Sequence, residues 1–544
     1  MPDLRKSFDG PWAGPVALAL LHAIIALNAY HPAPFTGGDD AAYLSLARSL
    51  IERHDYTDVW DPALRPHTQF PPIFPVIVAF GLILKLDPAV GMKYMMILIS
   101  TGAVFASCVW LRRVTTAGVA FCAGFFLAIS PEVFVLGQEI LSDPLFWLFS
   151  MLALLAWRRA ARPDGKEISA DPFAIVPVVI ATTATLAAYF TRSAGAPLLL
   201  AVVLWLAMRK QFRAIAIVAA MSAPFIFAWW LRGHLNGGGG YLAPFIAVDP
   251  YNPSLGTVTI GGMFERAAKN AVEYSSAHLS RLVFGTPKTG VVFGTAFAAA
   301  MFYGWARRLR KPGLAEVWLP IYLTLVILWP VTWSGPRFLF PVIPLFALYV
   351  GDTINSLAKA ASHPRIFAAA ILLAGIVTVN APLKTLARLG TVCRAQYANG
   401  ADFPCTDPTF EDFFETAEKI RGRLPANSVV LSRKPTIFYL HSGYRSALYP
   451  LSPVPDSLFN LAKRIGAGYV VVDQIADLAP KYLHPIMLAR RDDFCVIPEL
   501  STDNAALARI EIGGPPRPPG SAPNSFRSCP LTTTPISASA EMPR

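Results

Sequence analysis

Residues 91–113 read GMKYMMILISTGAVFASCVWLRR, an apolar run over 91–111 that stops at the pair Arg112 and Arg113. At ~1.5 Å per helical residue such a run is about 30 Å long, the thickness of a bilayer's hydrocarbon core. The two cations at its end need water or lipid headgroups, so the run reads as a membrane crossing anchored at an interface. The pattern recurs at 14–30, 71–86, 115–136, 143–157, 173–190, 195–208, 214–231, 289–306, 314–333, 336–351 and 365–380. Of 544 residues 54% are hydrophobic and only 15% are charged, where a soluble chain carries roughly 25% charge. The 48 prolines and 37 glycines exclude one long coiled coil, and the apolar runs exclude a disordered chain. A formal net charge of +12 does not point to nucleic acid, because the cations fall in short clusters between apolar runs and set membrane orientation instead.

Those clusters fix an expected topology. Arg112 and Arg113; Arg158, Arg159, Arg162 and Lys166; Arg209, Lys210 and Arg213; Arg307, Arg308, Arg310 and Lys311; and Lys359 with Arg365 follow one another two apolar runs apart. Two crossings return a chain to the same side, so all of them are cytoplasmic together, joined by Arg5 and Lys6. Three apolar runs precede Arg112, however, and parity requires an even number of crossings. The run 71–86 opens with Pro71, Pro72 and Pro75, carries Lys85 and would span only about 24 Å as a helix, so it is expected to lie in the outer face without crossing. The expectation is an α-helical polytopic bundle of about eleven crossings with the N-terminus inside, and 11–30 is read as a first anchor in preference to a cleaved signal peptide.

The outer face then receives 31–90, 232–288, the short turn 332–337 and everything after 381, so the domains read as a membrane part over 1–380, an extracytoplasmic α/β domain over 381–512 and a tail over 513–544. In the α/β part an amphipathic stretch over 410–424 is followed by strand-like 428–431, helical 455–465, strand-like 468–473, and apolar 494–498 and 507–512. The tail is rich in Pro, Ser and Thr, the composition of a disordered segment. Cys108 and Cys122 fall in apolar runs, whereas Cys393, Cys405, Cys495 and Cys529 fall outside, where disulfides form; four cysteines allow three pairings, of which Cys393 with Cys405 is the local one. No spacing resembles a zinc site, and a divalent cation stays open as a cofactor.

The densest polar signal follows the first crossing: Thr36-Gly37-Gly38-Asp39-Asp40-Ala41-Ala42-Tyr43, with Leu46, Ala47 and Leu50 completing a helical apolar face. An Asp at such a place caps a helix by accepting from free backbone N–H groups. Adjacent acids at a lipid boundary also suit a general base, since a neighbouring charge or partial burial raises a carboxyl's pKa toward the working range. Both readings stand on these residues alone. Other polar groups converge on the same membrane level: Glu139 to Pro144 with Asp143, Tyr189 to Arg192, and Trp333 to Arg337. Two arginines and up to four acids at one boundary suit a reaction in which an acid deprotonates a nucleophile while cations hold a phosphate leaving group.

In motif order over residues 10–350 the chain resembles the GT-C fold membrane glycosyltransferases, the superfamily of the protein O-mannosyltransferases and the lipid A aminoarabinose transferases. Asp39-Asp40-x-x-Tyr43 is similar to the acidic signature of their first outer loop, and Gln69-Phe70-Pro71-Pro72 to the segment opening a juxtamembrane helix. Ser142-Asp143-Pro144, Thr191-Arg192 and Arg337-Phe338-Leu339-Phe340-Pro341 are similar to their later acidic, arginine and arginine-aromatic motifs. The resemblance implies a bacterial inner-membrane enzyme taking sugar from a polyprenyl-phosphate carrier to a lipid, glycan or protein hydroxyl, with inversion. Asp39 is then the expected base with Asp40 beside it, and Tyr43, Asp143, Arg192, Arg337 and Tyr241 are expected at the substrates. His67 either meets substrate or is a plain interface residue, and Gly237 to Gly240 with Tyr241 form either a lid or a simple linker. The aminoarabinose transferases carry Glu-Lys before Pro-Pro where this chain has Gln69-Phe70, which moves the expected phosphate contacts to Arg192 and Arg337.

Two other classes share part of this pattern. A lipid-carbohydrate transporter would place ionisable groups at the bilayer midplane in repeated or broken helices, whereas here they sit at the ends of runs and no repeat is visible. An envelope assembly protein using 381–512 as its working part would leave Asp39, Asp143, Arg192 and Arg337 without a shared task.

Overall fold

The apolar runs fold as helices, and in several of them the cations that end the run occupy the last turn. Gly91–Val114 closes on Arg112 and Arg113, Ser142–Ala160 on Arg158 and Arg159, and Gly290–Arg308 on Arg307 and Arg308, the position where positive charge meets the negative end of the helix dipole. The computed structural model describes residues 12–160, 172–238, 241–286, 290–361, 363–513 and 526–531. Arg5, Lys6, Arg162, Lys166, Gly239, Gly240 and most of the tail lie outside them. The chain forms two units: Met1–Pro32, Thr68–Pro250 and Thr257–Gly400 make the first, and Ala33–His67, Tyr251–Gly256 and Ala401–Arg544 the second. Residues 33–67, which the sequence groups with the membrane part, thus cluster with the C-terminal part.

In the first unit, among the described residues, Gly91–Val114, Phe212–Leu235 and Pro336–Ala360 are each long and apolar enough to cross a membrane. That is fewer than the eleven crossings expected. Run 115–136 is broken into Ala117–Ala128 and Pro131–Gly137, bent by 53°, at a proline that has no N–H to continue the ladder. Ile73–Ile83 has 11 residues, about 16 Å of helix against a core of ~30 Å. Run 365–380 extends the other way: the 35-residue helix Pro364–Ala398 runs on past the boundary expected at 381, with Cys393 buried and Arg394 bonding the carbonyls of Asn28 and Tyr30. Trp147, Trp157, Trp318, Tyr322, Phe340, Phe346 and Tyr349 are fully buried at the centre. Buried indoles find partners where they can, Trp147 Nε1 donating to Ser107 and Trp157 Nε1 to Thr185, each at 3.0 Å. Between apolar helices in lipid, close packing supplies much of the attraction; a Cβ at Gly304 would overlap the carbonyl of Tyr349.

The cationic helix ends gather at one end of this unit. Arg308 donates to the carbonyl of Val114 at 3.0 Å and pairs with Asp352 at 2.6 Å, and Thr115 donates to the same carboxylate at 2.9 Å. Val114, Arg308 and Asp352 therefore lie together.

The second unit is an α/β domain around a six-stranded sheet of order β2-β1-β3-β5-β4-β6, with β1 Val429–Leu431, β2 Arg445–Ala447, β3 Ala467–Asp473, β4 Phe494–Val496, β5 Ala505–Ile510 and β6 Arg527–Ser528. β1 pairs in parallel with both β2 and β3, and β5 pairs antiparallel with β3 and β4. Alternation along the strands sends Val430, Val471 and Leu507 into a core with Phe413, Phe414 and Phe438. Leu431, Val470 and Ala508 face a second core with Leu458, Phe459 and Met487. Helix Pro408–Ile420 overlaps the stretch 410–424 read from sequence and Pro455–Ile465 matches 455–465, while Pro435–Ser442 and β2 had no strong local signal. The expectation of a wholly disordered tail is corrected at 526–531. Here β6 pairs with β4 in parallel and Cys529 is disulfide-bonded to Cys495, and an edge ladder with a covalent tie outweighs the Pro-rich composition. Cys405 is disulfide-bonded as well.

Candidate active site

The expected site residues fall into two groups, one in each unit. In the second unit the backbone turns at Gly38, whose φ of +95° is left-handed and suits glycine. Gly38 is the N-cap, and Asp39–Arg48 begins directly after it, so Asp39 and Asp40 occupy the first helical turn and neither is the cap residue. Both are half-buried, while Ala41 to Ala47 are buried and Ala41 joins the core of Phe413 and Ile437. Tyr43, one turn on, is 3% exposed.

The loop after β1 holds this turn in place. Lys434 Nζ donates to the Gly37 carbonyl at 3.0 Å and Thr436 Oγ1 to that of Gly38 at 3.1 Å. Burial, aided by the Arg433 guanidinium, pulls the Lys434 amine down to about 8 against the opposing influence of Asp39, Asp40 and Asp473. Asp473 ends β3 and is 1% exposed. Burial raises its carboxyl to about 6 despite a bond from Ile475 N and the charges of Arg433 and Lys434. The strand order 2-1-3 with parallel pairing puts the ends of β1 and β3 side by side where the chain reverses its winding, the crevice in which α/β sheets bind ligands. Sequence reading missed Lys434: Gly37 is 397 residues away. Asp473 did carry a signal, as the lone acid closing Val470-Val471-Val472. His67 is 3% exposed, with Nδ1 at 2.5 Å from Asp58 and ring-edge contacts to Tyr56 and Trp60; it closes the loop in which Thr57 bridges to Pro66.

In the first unit three expected residues meet. Asp143 opens the helix Ser142–Ala160 and is 2% exposed; Arg192 follows the helix Pro172–Thr191 and places Nη1 at 2.7 Å from Asp143 Oδ2 and 3.2 Å from Ser142 Oγ. Its guanidinium lies over the Phe338 ring at 5.3 Å, and that of Arg337 approaches the same ring at 5.2 Å. One aromatic ring thus holds two like charges together, with a buried carboxylate behind one of them. The segment is fixed by Tyr322, which donates to the Phe338 carbonyl at 2.7 Å, and by Gly335 N, which donates to Tyr274 at 3.2 Å. Tyr241 stands edge-on to Trp329 at 5.6 Å, and Trp329 contacts Trp333 at 6.2 Å, an aromatic row running into the Arg337 turn. Arg266, which sequence reading passed over, ties the outer loop down by donating to the carbonyl of Phe245 at 2.7 Å and to that of Ala247. Glu139 is engaged by Lys93 at 3.0 Å, both buried, so it serves a structural ion pair. Among the described residues no group of three or more His, Cys, Asp or Glu side chains is arranged to hold a metal ion.

The Alg9-like mannosyltransferase family matches residues 282–397 of this chain. A search of the curated proteins by sequence finds no match. Among solved structures, the Archaeoglobus fulgidus oligosaccharyltransferase tethered to an acceptor peptide with the NVT sequon is 13% identical, with a TM-score of 0.54 over 94% of this chain and 75% of that one. AglB of the same organism, in complex with an inhibitory peptide and a dolichol-phosphate, is 14% identical, with a TM-score of 0.54 over 89% and 72%. ArnT from Cupriavidus metallidurans bound to undecaprenyl phosphate is 14% identical, with a TM-score of 0.54 over 92% of this chain and 99% of that one. Identities this low carry the fold and leave the substrate to the site. The mannosyltransferase match over residues 282–397 and this fold along nearly the whole length make the chain similar to the membrane glycosyltransferases of the GT-C fold.

Proposed function

We propose that the protein transfers a sugar from a polyprenyl-phosphate carrier to a hydroxyl of a lipid, glycan or protein acceptor, with inversion, on the outer side of a bacterial cytoplasmic membrane that its helices cross about eleven times. The observation that carries the reading is the meeting of Arg192 and Arg337 over Phe338, backed by Asp143. Two guanidiniums on one aromatic ring, one of them backed by a carboxylate, offer planar forks of N–H donors, and a phosphate that gains charge as it leaves is what such donors stabilise. Carriers of this class are bound in two of the neighbouring structures, dolichol-phosphate in AglB and undecaprenyl phosphate in ArnT.

In the proposed reaction the acceptor oxygen attacks the anomeric carbon and gives its proton to Asp39. The bond from that carbon to the phosphate oxygen breaks, and its electron pair leaves with the polyprenyl phosphate. One direct displacement inverts the centre. Asp40 orients or tunes Asp39, and Lys434, fixed on Gly37, holds the turn that carries them. Tyr43 and Tyr241 contribute ring and hydroxyl surface to the sugars, and His67 acts through the loop that it closes.

The test is a panel of polyprenyl-phosphate sugars offered to membranes containing the protein and its Arg337→Lys variant. Lysine lacks the planar fork that grips a phosphate, so the variant should show a raised donor KM at unchanged membrane abundance. Transfer from nucleotide sugars in preference to every lipid-linked donor would overturn the reading, and unchanged donor kinetics in the inserted variant would remove Arg337 from the site.

A further inference from the structure

The first unit has a second charged centre at the far end of the helix that Asp143 begins. Arg158, Arg209, Arg307, Arg308, Arg310 and Lys311 line one cavity of about 790 Å³. The helix Ser142–Ala160 has 19 residues, so Arg158 lies about 22 Å along it from Asp143. Among the described residues that line the cavity Glu316 is the only acid. Its carboxylate already accepts from Gly313 N at 2.8 Å, meets Tyr349 at 3.3 Å and lies 3.8 Å from Arg308. Asp352 also closes on Arg308, at 2.6 Å.

Membrane orientation accounts for cations on this side, but cations splayed outward into water would serve it equally well. Here six of them face a space only about a Debye length across, so their mutual repulsion is poorly screened. An anion with several acceptor oxygens relieves that repulsion. A second observation points the same way: Trp205, whose ring lines the cavity and lies under Arg209 at 5.1 Å, is 4% exposed, and its indole N–H is buried without a hydrogen-bond partner among the described residues. An indole N–H only donates, so it too calls for an acceptor. Trp110, Val114 and Leu154 give the same cavity an apolar wall.

We infer that this cavity is a binding site for a phosphate-bearing anion, separate from the sugar-transfer site. Basic pockets between membrane helices hold anionic lipid headgroups, and the apolar wall suits the start of an acyl chain. A small soluble phosphate would meet the same cations. The inference does not depend on the proposed sugar transfer.

The experiment uses the purified full chain in neutral detergent and follows thermal unfolding and native mass spectra with added phosphatidylglycerol, phosphatidylcholine, inorganic phosphate or glycerol 3-phosphate. The comparison protein carries Arg310→Gln and Lys311→Gln, exposed positions outside the transfer site. Stabilisation and retention of phosphatidylglycerol over phosphatidylcholine, weakened about tenfold or more in the variant, supports the site with a lipid occupant. Stabilisation by inorganic phosphate or glycerol 3-phosphate, weakened in the same way, supports it with a soluble one. Without added anion the variant should unfold at the same or a higher temperature, since like charges have been removed; should it accumulate poorly, Arg209→Gln is tested in its place. No response of the wild-type protein to any of the anions, or an equal response in wild type and variant, overturns the inference.

Discussion

Replacing Asp39 with Asn keeps the shape of the side chain and removes its basicity. Because Gly38 and not Asp39 is the N-cap, no capping bond of this side chain is at stake. The charge that the folded state loses is a half-exposed one in the first helical turn, worth about 0.3–1 kcal/mol against the helix dipole. In a unit of this size that corresponds to a fall in unfolding temperature of about 4 °C or less. Loss of general-base assistance costs about 10²–10⁴-fold in rate, or about 3–5 kcal/mol of barrier. The two effects differ enough to be told apart in one experiment. Sugar transfer from a lipid-linked donor is measured for Asp39→Asn and Asp40→Asn at matched membrane abundance, alongside thermal unfolding and carrier binding. Transfer should drop by at least a hundredfold for Asp39→Asn and less for Asp40→Asn, with carrier binding preserved. The neighbourhood supplies an independent readout. Asp39 opposes the burial that pulls Lys434 down to about 8, so the Asn variant should lower that amine further and speed its modification by an amine reagent near neutral pH. Near-normal transfer, or a loss that follows unfolding, would return Asp39 to a purely structural role.

The pH dependence of the second unit follows from two buried groups. Asp473, raised from 3.8 to about 6 by burial, binds more protons folded than unfolded, so its contribution is present below pH ~4 and lost as pH rises through ~6. Lys434, lowered from 10.5 to about 8, contributes stability above its unfolded value that is lost as pH falls through ~8. Unfolding temperature against pH should show both slopes, with Asp473→Asn abolishing the acid one and Lys434→Met the alkaline one; identical profiles in the variants would contradict the burial. The bond Cys495–Cys529 closes a separation of 34 residues, worth roughly 4 kcal/mol by chain entropy, so replacing both cysteines by Ser should expose 526–531 to protease and lower the unfolding temperature, and equal protection would count against the tie. A cysteine at Asp87 should react with an impermeant thiol reagent in intact cells while one at Arg113 does not; the opposite pattern would invert the topology.

Periodicity and end charges are local properties, and they carried the apolar helices and most of the helices and strands of the C-terminal part. A helix ends where cations and prolines stop it, whatever lies elsewhere in the chain. The misses have the opposite character. Lys434 reaches Gly37 across 397 residues, and Glu139 is taken up by Lys93. No window along the chain contains such pairs. Composition also misled at 526–531, where a disulfide to Cys495 and an edge strand hold residues that by themselves would not fold, and at Asp39, where a left-handed glycine moves the cap one residue earlier. Residue types and their order were enough to bring out the resemblance to the GT-C fold. Which acid meets which cation was decided only by tertiary structure, because burial and charge pairing act through space, between groups whose distance along the chain says nothing of their distance in the fold.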